Sequence, residues 1–251
     1  MPDVKNVMSV DAGDIKNIMG VEAGDIKNVM GVDLSTAPAY TGLRFICFGS
    51  GTTASADWGN AIDYKASTSN GNASDFGDMS EAMNHGSAAG SQGGRAVHGG
   101  GAISPSYTAV RNNIEYVTIA STGNTTDAGD LSVARSEGPS CGGNGTTAIW
   151  AGGYIQYEYV NTMDYMAISS TGGASDFGDL NNSAGLGNGS GSLTRFLHSG
   201  GTSLLDVIDY VAFDTTGNAS DFGNLVAGVR SNAGGIATEA RIINSAGGTI
   251  T

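Results

Sequence analysis

Short apolar runs that end in glycine recur along the chain and predict β-strands. Five runs have this form, at residues 44–49, 95–101, 147–153, 195–201 and 241–248. Four of them are followed by a loop and a second apolar run that carries a tyrosine. Runs of this length, rich in β-branched and aromatic residues and bounded by glycine, are typical of strands. They predict strands at about 44–49, 62–68, 95–99, 114–120, 147–152, 163–168, 195–199, 208–213 and 241–246.

A second repeated stretch follows each tyrosine and resembles Thr-Gly-Asn-Ala-Ser-Asp-Phe-Gly-Asp-Leu. The step from tyrosine to aspartate is 11 residues in all four copies, whereas successive aspartates are 52, 49 and 45 residues apart. A fixed inner spacing with a variable outer one indicates a rigid unit joined by loops of different length. We expect these residues to be structural; they are Tyr64, Tyr116, Tyr165 and Tyr210 with Asp75, Asp127, Asp176 and Asp221.

Each repeat is therefore expected to form four short antiparallel strands. The central strands carry apolar residues on both faces, for example Ile114 and Val117, which a sheet open to water on one side does not need. Sheets buried on both faces have to stack on their neighbours. We predict an all-β domain over residues 38–251, with the glycine-rich runs 141–145 and 185–191 as turns.

The first 37 residues carry a different repeat, with a period of 11, and are expected to form a separate arm. Asp14 and Asp25 precede Ile-Lys-Asn, as helix-capping residues do, and Gly20 and Gly31 stand where a helix ends. We predict short helical turns here, each too short to be stable alone. The arm either packs on its own domain, docks on another subunit or assembly, or is disordered. Its apolar pairs are Val7 with Met8, Ile18 with Met19, and Val29 with Met30.

Composition narrows the function classes. The chain has 251 residues, of which 24 are acidic and 11 basic, for a net charge of −13. A surface of this sign repels nucleic acids and anionic membranes. No apolar run is long enough to span a membrane, and the first residues lack the apolar core of a signal peptide. Cys47 and Cys141 form no motif, and we expect two buried thiols, with a disulfide as the alternative.

Candidate chemical groups are few. Two of the three histidines, His98 and His198, occupy a repeat position that Trp150 holds in another copy, which favours a structural role over metal binding; the third is His85. The repeated Asp-x-Gly-Asp turns could hold Ca²⁺, but an aspartate that caps its own turn is the simpler interpretation. We therefore expect no catalytic residues, no transition metal and no cofactor.

The order of apolar strand, glycine pair, tyrosine strand, turn and aromatic residue resembles the kelch repeat of β-propellers over about residues 42–251. The tryptophan usual in the fourth strand is replaced by Phe76, Phe177 and Phe222, and by Ala128 in the second copy. The wording of the repeat is similar to kelch-like repeats in virion proteins of tailed bacteriophages. The Ile-Lys-Asn-Ile-Met-Gly-Val segment is similar to N-terminal repeats of phage structural proteins.

This resemblance implies a small β-propeller of four full repeats and a fifth partial one, in a non-enzymatic virion protein such as a tail or head fibre. Its propeller would face outward towards a host glycan or protein, and its arm would contact other virion proteins. We also expect a homo-oligomer. The alternative is a secreted or cell-surface propeller that binds or acts on carbohydrate. The C-terminal hairpin is expected to complete the ring against residues 40–50, or else to pair with a neighbouring chain.

Overall fold

The computed structural model describes most of the repeat region and four short pieces before it. Every regular element in the described residues is a β-strand, so the chain is all-β there. We find in these residues no helix with the length and apolar character of a membrane span. The chain divides into two compact units, residues 1–39 and 40–251. The described residues are 17–18, 21–22, 28–29, 32–33, 44–50, 59–83, 86–90, 94–103, 109–137, 139–228, 235–237 and 242–244.

The smaller unit contains two β-hairpins, so the prediction of helical turns there is wrong. Strand β1 (Asn17–Ile18) pairs with β2 (Val21–Glu22), and β3 (Asn28–Val29) pairs with β4 (Val32–Asp33). Ile18 lies opposite Val21, which leaves Met-Gly between the strands. A glycine in a two-residue connection and β-branched residues beside it favour a hairpin. Val7, Met8, Met19 and Met30 lie outside the described residues.

The larger unit is built mainly from antiparallel sheets that repeat along the chain. The first sheet has three described strands in the order β5-β6-β7, and the next three sheets have four strands each, β8 to β11, β12-β13-β16-β17 and β18 to β21. A pair, β22-β23, follows. The strands are β5 (Arg44–Ser50), β6 (Gly59–Ala66), β7 (Ser74–Met83), β8 (Ser87–Gly90), β9 (Arg95–Ala102), β10 (Val110–Thr118), β11 (Thr126–Asp130), β12 (Ser140–Gly143), β13 (Thr147–Ala151), β14 (Tyr154–Ile155), β15 (Glu158–Tyr159), β16 (Thr162–Ala167), β17 (Ser175–Asp179), β18 (Asn188–Gly191), β19 (Arg195–Ser199), β20 (Val207–Ala212), β21 (Ser220–Asn224), β22 (Gly235–Ala237) and β23 (Ile242–Asn244).

The nine predicted strands are confirmed within a few residues, but two glycine-rich runs are strands rather than turns. Most of the run 141–145 belongs to β12, and the end of 185–191 forms β18. Both are edge strands, and β8, β12, β18 and β22 of successive sheets lie side by side. A Cβ on Gly189 would come within 2.5 Å of the Cys141 backbone nitrogen, and one on Gly142 within 2.7 Å of the Ser190 carbonyl carbon. Glycine is needed in these strands because backbone packs on backbone.

The hydrophobic core lies between successive sheets. Ile62 and Phe76 of the first sheet pack on Val117 of the second. Two further clusters join the second sheet to the third and the third to the fourth. The second cluster contains Val97, Ile114, Trp150 and Met166, and the third contains Ile149, Phe177, Phe196 and Val211. The expected stacking of sheets that are buried on both faces is confirmed between these neighbours.

Two details differ from the sequence prediction. An additional hairpin, β14-β15, is inserted between the second and third strands of the third sheet. Both cysteines are free, so the disulfide alternative is wrong. The expectation of two buried thiols is wrong for Cys47, which is exposed; Cys141 is half-buried, and burial raises the pKa of its thiol. Ile46 and Phe48 of the same strand pack towards the second sheet, so Cys47 points to the opposite side.

Candidate functional site

The most repeated sequence of the chain forms the contact between neighbouring sheets. Gly123 N donates to Phe76 O at 2.7 Å, and Thr125 N donates to Asp78 O at 2.9 Å. Asp78 N in turn donates to Asn124 Oδ1 at 3.0 Å. The Thr-Gly-Asn turn of one sheet is thus held against the Asp-Phe-Gly-Asp strand of the sheet before it. We call this contact the turn clasp.

The turn clasp recurs between the later sheets. Gly217 N donates to Phe177 O at 2.7 Å, Ala219 N to Asp179 O at 2.8 Å, and Asp179 N to Asn218 Oδ1 at 3.1 Å. Between the second and third sheets, Gly173 N donates to Ala128 O and Ala174 N to Asp130 O. A Cβ on Gly178 would collide with the carbonyl oxygen of Gly217. The recurrence of glycine at this point of the repeat therefore follows from packing.

The repeated aspartates cap their own turns, as the simpler interpretation predicted. Gly129 N donates to Asp127 Oδ1 at 2.8 Å, Gly178 N to Asp176 Oδ1 at 3.2 Å, and Gly223 N to Asp221 Oδ1 at 2.9 Å. Asp75 is exposed at the equivalent place in the first sheet. Among the described residues, no group of three or more His, Cys, Asp or Glu side chains is arranged to hold a metal ion.

The repeated tyrosines lie in a layer between an arginine and a phenylalanine. Tyr210 is edge-on to Phe222, with ring centroids 5.6 Å apart, and Arg195 lies over its ring at 4.8 Å. Cation–π contacts of this kind are worth about 0.5–1 kcal/mol where exposed. Tyr64 makes both contacts, with Phe76 and with Arg44. Tyr116 contacts Arg95, and Tyr165 contacts Phe177.

A carboxylate just before each tyrosine is a further inter-sheet contact, and sequence reasoning missed its role. Ser80 N donates to Glu115 Oε1 at 3.3 Å, across from the first sheet to the second. Asp164 Oδ2 and Asp209 Oδ2 accept from Ser132 N and Asn181 N in the same way, both at 3.1 Å. The signal was present as the repeated Asp/Glu-Tyr pair, but nothing in that pair indicates which backbone group it would meet.

Asp164 also forms a fully buried ion pair. Its Oδ2 lies 2.9 Å from Arg135 Nη2, which also donates to Trp150 O at 3.1 Å. Burial lowers the pKa of Arg135, and the charge of Asp164 opposes that effect. Arg135 lies in the connection to the next sheet, so the pair joins the second sheet to the third. Loss of one partner would leave an uncompensated charge in the core.

His198 is the residue that most resembles part of a catalytic site. Its Nδ1 lies 2.7 Å from Ser140 Oγ, and its Nε2 lies 3.1 Å from the carbonyl oxygen of Gly200. A carbonyl can only accept, so the Gly200 contact favours the tautomer with the proton on Nε2. Nδ1 then accepts from the Ser140 hydroxyl, for whose single proton Ala151 O, at 3.2 Å, is the competing acceptor. Asp209 is nearby, but its two oxygens bond to Asn181. All three side chains are buried, so the Ser-His contact joins two sheets and does not face a substrate.

His98 occupies the same position in the second sheet. Burial lowers the pKa of both histidines to about 4. The His98 ring stacks on Phe48 of the first sheet at 5.5 Å, and at the equivalent position Trp150 Nε1 donates to Ser87 O at 3.2 Å. This position therefore reaches back to the preceding sheet in each repeat. His85 lies outside the described residues.

The tip of β14-β15 exposes a large aromatic side chain. Tyr157 is 77% exposed, and both Gln156 and Tyr157 have positive φ, of 42° and 82°. Non-glycine residues held in this region are strained and occur often at binding sites. The hairpin is held by a hydrogen bond of 2.8 Å from Tyr159 Oη to Glu137 Oε2. The strain is therefore maintained by packing below the tip.

Comparisons with known proteins bear on the fold. No protein-family model matches the chain, and no curated protein matches it. In contrast, 141 chains of solved structures are similar to it, so the fold is a common one and does not by itself indicate an activity. One of them, the structure of YjhT, has a TM-score of 0.60 and 9% sequence identity, over 77% of this chain and 71% of that chain. At this identity the likeness shows a shared fold alone.

Proposed function

We propose that this chain is a non-enzymatic structural protein of a bacteriophage particle, of the tail-fibre or head-fibre type. Residues 40–251 would form a kelch-like β-propeller that faces the host surface, and residues 1–39 would attach it to the particle. The phage assignment rests on the resemblance of the repeats to those of virion proteins. The observation that carries the attachment role is the division of the chain into two compact units, each with its own repeat. One unit repeats small hairpins and the other repeats large sheets.

The arrangement of the sheets supports the propeller. Successive antiparallel sheets place their edge strands side by side, share a core between neighbours and repeat the same turn clasp. Radial repetition of such sheets is how propellers protect strand edges. A solved structure, that of YjhT, shares the fold at a TM-score of 0.60.

The use of the polar residues supports a structural role. Among the described residues, burial shifts the pKa values of four side chains: His98, Arg135, Cys141 and His198. The two histidines contact the preceding sheet, and Arg135 forms the buried pair with Asp164. Groups that serve packing in this way are not arranged around a substrate.

The hairpins of the smaller unit support an attachment role. A two-stranded hairpin is at best marginally stable alone in water and needs a surface to pack on. The two described hairpins follow the period of 11 and offer the same backbone arrangement twice. We therefore expect the arm to contact other virion proteins. The charge of −13 fits a partner other than nucleic acid.

Deletion of residues 2–33 tests the proposal. The deleted protein should keep the near-wild-type thermal unfolding of the repeat domain but fail to enter particles, as detected with an antibody to residues 40–251 on gradient-purified particles. A variant in which residues 2–33 are replaced by a Gly-Ser linker of equal length controls for spacing. Incorporation of either variant at the wild-type level would contradict the attachment role. Absence of the full-length protein from particles would contradict the virion assignment.

A second candidate function is carbohydrate binding, which the exposed and strained Tyr157 favours. Tyrosine rings supply a rigid apolar face with a polar end, suited to a sugar ring. Titration with host-surface glycans should show binding that Tyr157→Ala abolishes. Leu193 is an exposed residue of the β18-β19 turn, and the control variant Leu193→Ala should bind as the wild type does. Equal binding by both variants would place the contact elsewhere.

A further inference from the structure

One side of the first sheet lacks the cover that the equivalent positions have in later sheets. Phe45 on β5 is 69% exposed, whereas Phe196, at the same position of β19, is 1% exposed. Cys47 is exposed, whereas the equivalent Trp150 is fully buried. In the later sheets the edge strand of the preceding sheet supplies this cover; Gly142, for example, lies against the Phe196 ring.

A groove of about 340 Å³ runs along this open side. It lies at β5, which pairs with β6 on its other edge, and the described part of this sheet has three strands where the next three sheets have four. In those sheets the additional strand, β8, β12 or β18, lies at the edge of the sheet. It pairs with the strand equivalent to β5, which is β9, β13 or β19. The groove therefore lies where an edge strand would pack. Its lining includes Phe45, Cys47, Phe48, Met79, Met83 and His98.

His98 supplies independent evidence of what the groove binds. It is buried, lines the groove, and has no hydrogen-bond partner for Nδ1 among the described residues. The equivalent nitrogen of His198 accepts from Ser140, the first residue of the edge strand of the preceding sheet. A strand that begins with a hydroxyl residue would give His98 the same partner.

We propose that residues 245–248 of a second copy of this chain bind in the groove as an additional strand. Their sequence is Ser-Ala-Gly-Gly, close to Ser-Cys-Gly-Gly of β12 and Ser-Ala-Ala-Gly of β8. They follow β23, and the β22-β23 pair packs on β18, at the other end of the row of sheets from β5. Among the described residues β22 and β23 pack on β18 and not on β5, which is why we assign the added strand to another copy.

The contact is a form of strand addition, in which backbone hydrogen bonds supply affinity and small side chains supply the fit. Residues 245–248 carry no charged side chain, so their docking adds no side-chain repulsion from the acidic surface of the other copy. One end of each copy meets the opposite end of the next, so the contact is heterologous and builds rings or filaments. The inference does not depend on the virion assignment, but it requires that the sheets of one copy do not close into a ring by themselves.

An engineered disulfide tests the register. Cys141 lies opposite Trp150 across β12-β13, so Ala246 should lie opposite Cys47 of the other copy. Mild oxidation of Ala246→Cys should give disulfide-linked dimers and longer species on non-reducing gels. The same change in a Cys47→Ser background, and Gly247→Cys, whose side chain would point the other way, should give none. A bridge within one chain, or the absence of any bridge to Cys47, would overturn the proposal.

Sedimentation of the full-length protein tests the association without a cross-link. Deletion of residues 245–251 should convert concentration-dependent oligomers to monomers with unchanged thermal unfolding. Ser245→Ala should weaken the association constant roughly five- to tenfold through the lost hydrogen bond, and Ser245→Thr should restore it. Association that survives the deletion unchanged would overturn the proposal.

Discussion

Phe177 and Phe222 have the same local sequence and equivalent tyrosine partners, yet one is buried and the other is exposed. Each follows Ser-Asp and precedes glycine, and each is edge-on to a tyrosine, at 5.3 Å and 5.6 Å. Phe177 in the third sheet is 2% exposed and Phe222 in the fourth sheet is 52% exposed. The difference is the turn of the following sheet, which closes over Phe177 through Gly217 and Ala219.

This comparison shows that burial in the chain is supplied by the neighbouring repeat. The third sheet has described neighbours on both sides, whereas the first sheet has one on one side only. Pairs of equivalent substitutions in covered and uncovered sheets can therefore separate the contribution of the neighbour from that of the local structure.

The largest difference is expected for the carboxylate before the tyrosine. Asp164→Ala leaves Arg135 buried without its partner and should lower the free energy of unfolding by about 3–5 kcal/mol. Asp63→Ala, the equivalent change in the first sheet, affects a half-buried residue and should cost less than about 1 kcal/mol. Urea unfolding of both variants measures the difference. If Asp164→Ala lowered the free energy of unfolding no more than Asp63→Ala does, Arg135 would have found another partner.

Phenylalanine truncation should separate the third and fourth sheets. Phe177→Ala removes a buried ring from the cluster between the third and fourth sheets and should cost about 3–4 kcal/mol. Phe222→Ala removes a half-exposed ring and should cost about 1 kcal/mol or less. Thermal unfolding followed by near-ultraviolet circular dichroism would show the two shifts. A comparable loss for Phe222 would mean that its outer side is covered in solution.

Acid should destabilise the protein through the buried histidines. The unfolded chain takes up protons on histidine below about pH 6.5, whereas burial holds the pKa of His98 and His198 at about 4 in the folded state. The unfolded state therefore binds more protons between these values, and the free energy of unfolding falls as the pH drops from 6.5 to 4. Each histidine should contribute about 2 kcal/mol between pH 7 and pH 5.

The variant His198→Gln isolates one of these contributions. It should flatten the pH dependence by about 2 kcal/mol, as measured by urea unfolding at pH 7 and pH 5. His98→Gln should do the same, although it lacks the serine contact, because burial is the cause that lowers both pKa values. An unchanged slope in both variants would show that the two histidines become protonated without unfolding.

The sequence predicted the parts of the fold that depend on side chains. The strands that contain Ile149 and Val211 could be predicted because each is a short apolar run that recurs in every repeat. The aspartate caps could be predicted because an aspartate side chain often bonds to the backbone of its own turn. The edge strands were missed because their glycines allow close backbone contact and produce no alternating apolar pattern in the sequence. A glycine that allows backbone contact, such as Gly189, reads in sequence like a glycine that permits a turn.

Other elements were missed because their cause lies in a distant residue. The buried pair of Arg135 and Asp164 joins residues that the sequence separates by the whole of β12 and β13. The hairpins of the smaller unit were predicted as helical turns because Gly20 fits the end of a helix as well as a hairpin connection. In both cases local sequence was compatible with two structures, and long-range pairing decides between them.

The smallest difference is expected for the glycines of the turn clasp, and it is the most direct test of the comparison. Gly178 and Gly223 both have positive φ, of 136° and 129°, so Gly→Ala strains the backbone similarly at the two sites. A Cβ at position 178 would also collide with the carbonyl of Gly217, whereas one at position 223 meets nothing within 4 Å. Gly178→Ala should therefore cost about 1–2 kcal/mol more than Gly223→Ala in urea unfolding. Equal costs would mean that backbone strain alone selects glycine there, and that the neighbouring sheet can move away from an added methyl group.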